Sequence, residues 1–141
     1  MNDKQQENIK IIEELRYKVS SLERSLMRLS SLIEPNLKYP YWHKLLSLGI
    51  FEEDRKKLEY IMFHLSNRLN QEPDSFRIDT EYPSELFEKG LPTVNQTMTI
   101  ISSTLNIEYE EIIQEILLCM YRQGMFKNLI SFLFPEEVKK L

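Results

Sequence analysis

At 141 residues, with 42% hydrophobic and 11% aromatic side chains, the chain holds enough apolar material for one packed domain, which excludes global disorder. Only three Gly and six Pro occur, and no stretch sustains apolar/polar alternation, so an all-α fold is expected. The net charge of −4 is unevenly placed: residues 1–34 carry six positive and six negative charges, while Glu72 to Lys89 carries six negative and two positive. Outside Arg55, Lys56 and Lys57, which follow Glu52, Glu53 and Asp54, there is no basic run to neutralise phosphates, so nucleic acid is not an expected partner.

The first element carries the strongest pattern. Ile12, Leu15, Val19, Leu22, Leu26, Leu29 and Ile33 recur at spacings of 3, 4, 3, 4, 3 and 4, the a/d alternation of a heptad repeat. Ile12, Val19, Leu26 and Ile33 take the a positions, and Leu15, Leu22 and Leu29 the d positions. Lys18 then falls at g and Glu23 at the following e, where a parallel pairing brings them together across the seam. A helix from Asn8 to Glu34 is predicted, roughly 40 Å long at ~1.5 Å per residue, with Pro35 as its stop.

These seven residues are the candidate oligomerisation site, joining two or three copies. A helix packed on the core of its own chain would show the same stripe, and Ile9, Ile11 and Leu32 widen it beyond a narrow seam. The regularity favours association. Branched residues at most a positions with Leu at d favour two strands, while the widened stripe and the absence of a polar a residue favour three or more, which leaves the order open. Residues 1–34 are therefore read as an oligomerisation helix and residues 35–141 as a helical bundle, together one domain.

Pro40 and Gly49 bracket a short helix over Tyr41–Leu48, whose neighbours Tyr39, Tyr41 and Trp42 are read as aromatics capping the core. From Glu52 to Gln71, Leu58, Ile61, Met62, Leu65 and Leu69 share one helical face. Glu52, Glu53 and Asp54 stand where a helix N-terminus favours negative charge, and Pro73 is the expected stop. Pro73, Pro83 and Pro92 and an acidic excess make residues 72–93 a predicted mobile surface loop, with one helical turn from Ser84.

Thr93 and Gln96 have the spacing of a capping box, followed by a stripe of Val94, Met98, Ile101 and Leu105. Asn106 is expected to cap the next helix, which has an acidic first turn (Glu108, Glu110, Glu111). Its inward residues are expected to be Tyr109, Ile112, Ile113, Ile116, Leu117 and Met120, with Gly124 closing it. A last helix holds Met125, Phe126, Leu129, Ile130 and Leu133, stopped by Pro135, with a frayed turn after it.

The heptad helix followed by residues 34–50, and residues 111–134 with the run YRQGMFKNLISFL, resemble the small YhaI-like family of Gram-positive bacteria. The resemblance covers the two ends, about two-thirds of the chain, and is weakest over residues 72–90. It implies a multihelical fold that forms an intertwined homo-oligomer, with no assigned activity and no functional residue to carry over.

Residue chemistry points away from catalysis. His43 and His64 lie on different predicted helices with no HExxH or Cys/His spacing. Cys119, the single cysteine, sits between Leu118 and Met120 without a local cation to activate it. It is read as an inert buried thiol suited to a reducing compartment. Glu110, Glu111 and Glu115 imitate half of a paired-acid magnesium motif, and the second half is missing. No catalytic, metal or cofactor-binding residue is therefore proposed. With no secretory or bilayer-spanning apolar run, a cytoplasmic location is expected.

The function expected is a homo-oligomeric interaction module without catalysis, able to engage a further protein partner. The alternative is a DNA-binding regulator with a coiled-coil dimerisation helix and a helix-turn-helix over Val94–Leu117. Its recognition helix would open on three glutamates and have no Lys or Arg before Arg122, which opposes phosphate contact.

Overall fold

The computed structural model describes residues 2–72 and 79–141. Among these the fold is entirely helical, with α1 (Asp3–Leu32), α2 (Pro40–Leu48), α3 (Glu52–Leu69), α4 (Val94–Leu105), α5 (Glu110–Arg122), α6 (Lys127–Leu133) and α7 (Pro135–Lys139). A 3₁₀ turn at Ser84–Phe87 interrupts the connection between α3 and α4.

α1 begins at Asp3, five residues before the predicted start. Asn2 and Gln5 form a full capping box there: Gln5 N–H donates to Asn2 Oδ1 at 2.8 Å and Asn2 N–H donates to Gln5 Oε1 at 3.3 Å. Its other end falls at Leu32, where Ile33 turns extended (φ −102°, ψ 133°). Pro35 thus acts at a distance: the residue before a proline is pushed out of the α region, and the helix ends short of it.

Pro40 occupies the first turn of α2. Gly49 ends the helix in the left-handed region (φ 73°), with Ile50 N–H donating back to Leu45 O at 2.9 Å. A Cβ on Gly49 would stand 2.9 Å from Met27 Sδ, so this glycine also lets α1 approach α2. The backbone donors of Tyr41 and Trp42, orphaned at the start of α2, reach Gln123 Oε1 at 3.0 and 3.2 Å. A side chain just beyond α5 therefore caps a helix 82 positions earlier.

The core lies within α2 to α6. Tyr41 and Leu45 from α2, Leu58, Ile61, Met62 and Leu65 from α3, Ile100 and Ile101 from α4, Ile113, Ile116, Leu117 and Met120 from α5, and Leu129 and Ile130 from α6 are all buried in one cluster. Lys44 Nζ and Glu115 pair at 2.8 Å between α2 and α5.

Several local expectations change. α3 ends at Leu69, with Asn70 as its cap and Gln71 left-handed (φ 55°), so it stops ahead of Pro73, which lies outside the described residues. The box at α4 is half formed. Gln96 N–H donates to Thr93 Oγ1 at 3.1 Å, but the Gln96 side chain turns to Arg68 and Glu88 instead of closing the box. Thr97 and Ile100 take buried positions on α4, and Val94 is exposed.

Asn106 is left-handed (φ 56°) and closes α4, while Tyr109 is the N-cap residue of α5. Ile107 packs on the core, tied to Ser102 through Ser102 Oγ–H donating to Ile107 O at 2.6 Å. With Ile107 holding the inward slot, Tyr109 faces out and is 63% exposed, against the expectation that it packs inside. Met125 and Phe126 form the bend before α6, and Pro135 starts α7 as well as ending α6.

The described part of the predicted loop is anchored. Leu86 is buried, and Tyr82 and Phe87 pack against the core. Arg68 on α3 donates to Gly90 O at 3.1 Å, Glu85 O at 3.1 Å and Gln96 Oε1 at 3.0 Å. These charge-assisted bonds tie residues 85–96 to α3.

Candidate functional site

Six of the seven heptad residues sit on α1, Ile33 being its extended C-cap and so out of the helical register, and the intrachain fold leaves all seven uncovered. Ile12, Leu15, Val19, Leu22, Leu26, Leu29 and Ile33, with Ile9, Ile11 and Leu32, are each between 42% and 77% exposed. Packing within the chain uses a different side of α1. Ser30, at an e position, is the one buried residue of that helix at 2% exposure, and Ser30 O lies 3.1 Å from His43 Nε2 on α2. Met27, at b, meets Gly49. The reading in which the stripe packs on its own core therefore does not describe this fold: the helix is docked along its flank, near its C-terminal end, and the a/d seam stays open.

Apolar residues exposed singly are ordinary on a protein surface, whereas ten along one helix and its C-cap are the mark of an interaction face. Arg16, Lys18 and Glu23 flank the seam and, among the described residues, none has an ion-pair partner within its own chain.

The seam continues into a second surface. A groove of about 660 Å³ runs beside Leu26 and Glu23 of α1 and is floored by Trp42, Leu45, Leu46, Ile50 and Phe51, with Glu52 and Arg55 at its rim. Arg55 is held by Glu52 at 2.8 Å and Glu59 at 2.6 Å. The three aromatics at the start of α2 divide: Tyr41 is fully buried, while Tyr39 and Trp42 stack on one another at 4.7 Å on the surface. The residue types were visible in the sequence. Their joining with Leu26 was not, because it depends on how α1 folds back on α2.

Sites of possible chemistry are dispersed. His43 joins α2 to α1. His64 is buried among Tyr60 and Phe87, with ring centroids at 4.4 and 5.2 Å. Cys119 is half-buried; burial pushes its thiol up from its ordinary value, against the opposing pull of Lys44 and Arg122. Among the described residues, no group of three or more His, Cys, Asp or Glu is placed to hold a metal ion, and no helix is long and apolar enough to cross a membrane. A second cavity of about 410 Å³, next to Arg68, His64 and Lys89, has Arg68 already committed to two carbonyls and Gln96.

Comparison with protein-family models, with curated proteins and with solved structures finds no match to this chain.

Proposed function

We propose that this protein is a cytoplasmic, non-catalytic assembly module that binds further copies of itself through α1, as a dimer or trimer, and presents the α2–α7 bundle to a protein partner. The observation that carries this reading is the open heptad stripe: six seam residues in register on a 30-residue helix, with Ile33 at its C-cap, none buried by the chain that makes them. Apolar surface of that extent is stabilised by removal from water at about 25 cal/mol per Å², and heptad spacing lets a second helix interdigitate with it along its length. The resemblance to the YhaI-like family points the same way. Nothing favours the DNA-binding alternative, since exposed Glu108, Glu110 and Glu111 stand at the start of α5, where a recognition helix meets phosphates.

The test is light scattering behind size exclusion across a concentration range. Wild type is expected to be oligomeric. Leu22→Glu places an unpaired charge at the central d position of every copy and is expected to give a folded monomer or a large loss of mass. Arg24→Glu, at the outward f position, is expected to leave the mass unchanged. A wild type that stays monomeric at every concentration, or a Leu22→Glu protein of unchanged mass, overturns the proposal.

A further inference from the structure

We infer that the groove between α1 and α2, floored by Trp42, Leu46, Ile50 and Phe51, is the second half of the self-association surface and takes α1 of another copy. This rests on the self-association proposed above and names the surface that completes it.

Leu26 carries the argument. It is both an a residue of the seam and a wall of the groove, so the two surfaces are continuous. Helices pack with axes 8–10 Å apart. A helix seated over Leu22, Leu26 and Leu29 therefore lies against whatever stands beside Leu26, and what stands there is Trp42 and Leu46. The groove's apolar floor is left open by its own chain, with Trp42 52% exposed.

Charge selects the same occupant. Among the described residues Glu23 has no ion-pair partner, and Glu23 and Glu52 stand at the rim against Arg55 alone, so the rim carries an acidic excess. An incoming segment should be apolar along one face with a cation at its edge. α1 has this form: Ile12, Leu15 and Val19 line a shallow apolar strip with Arg16 beside them, and Lys18 lies on the other flank. Either relative direction of two α1 helices brings one of these cations toward Glu23, Lys18 in a parallel pair and Arg16 in an antiparallel one.

Trp42 is the single tryptophan of the chain, so its fluorescence reads the groove directly. The full-length protein is diluted from high to low concentration while its mass and the acrylamide quenching of Trp42 are followed together. Quenching is expected to rise several-fold as the mass falls, and Leu22→Glu is expected to show the high value at every concentration. Trp42→Ala removes an exposed side chain and should retain the wild-type circular dichroism. Its dissociation constant is expected to rise about ten-fold or more, as for a buried aromatic anchor. Tyr17→Ala, at a still more exposed aromatic on the outward f position of α1, should stay within about two-fold of wild type.

An oligomer that dissociates with no change in Trp42 quenching, or a Trp42→Ala protein that assembles as wild type does, overturns the groove assignment and leaves association through the seam standing. A wild type that is monomeric throughout overturns both.

Discussion

α1 and the α2–α7 bundle come from one chain and obey opposite rules. The bundle gathers its large aliphatic residues into one buried cluster. α1, the longest helix, buries one serine and exposes nine aliphatic residues, with Ile33 at its C-cap a tenth. Hydrophobic composition is therefore a poor guide to where a segment is buried. Its period is more informative: the bundle helices have broad faces that wrap a shared centre, while α1 carries a 3.5-residue stripe, the spacing on which the proposed self-association rests.

The sharpest way to break this comparison is to make matched truncations on both sides of it. Leu117→Ala, at a fully buried position in α5, is expected to lower the stability of the bundle by ~2–5 kcal/mol. It should do so at every protein concentration, read as a shift in denaturant midpoint. Leu15→Ala on α1 should weaken assembly and leave the midpoint of dissociated protein unchanged within ~0.5 kcal/mol. If Leu15→Ala destabilises the dissociated protein as much as Leu117→Ala does, the two regions are not separate.

A smaller effect is expected at the joint between them. Gln123→Ala strips the acceptor from the first donors of α2 and should cost ~1–2 kcal/mol, the scale of a lost helix cap. Because α1 docks on α2 through Ser30 and Met27, loosened packing of α1 should accompany it, measured as faster amide exchange at Ser30 and its neighbours.

Much of this organisation was legible in the sequence, and the failures share a cause. The α1 stripe, Pro40 and Gly49 depend on residues within a turn or two of each other. Asn106 was misread because asparagine serves both a left-handed helix end and a helix start, and the choice was made by Ile107 turning inward. Gln123 and Arg68 were missed as organisers. A glutamine after a helix, or an arginine within one, gives no local sign that it will cap a helix 82 positions away or hold the carbonyls of Glu85 and Gly90. Residues 72–93 were judged by their prolines, which concealed the anchoring of Tyr82, Leu86 and Phe87. Of the candidate site, the seam was legible and the groove was not, since Leu26 and Trp42 meet only after the chain reverses at Pro35–Tyr39.

The smallest expected effect is confined to alkaline solution. Burial, followed by the negative charge of Glu59, raises the Tyr41 hydroxyl well above its ordinary value of 10.0, with Arg55 opposing. The fold thus favours the neutral phenol. Its contribution is complete below pH 10 and declines as pH rises past the unfolded value. Unfolding midpoints of wild type should fall more steeply above pH 10 than those of Tyr41→Phe, and identical slopes would remove Tyr41 as the cause.

The reach of Gln123 back to Tyr41 has a consequence in time. A ribosome adds about 5–20 residues per second, so α1 is complete several seconds before the residue that caps α2 exists. The capping box that opens α1 is made by Asn2 and Gln5, within its own first turn. The bundle must wait for its C-terminal third. Under the self-association proposed above, neighbouring nascent chains on one message would expose matching stripes while their bundles are still unfinished, so that assembly between siblings would precede the folding of either one.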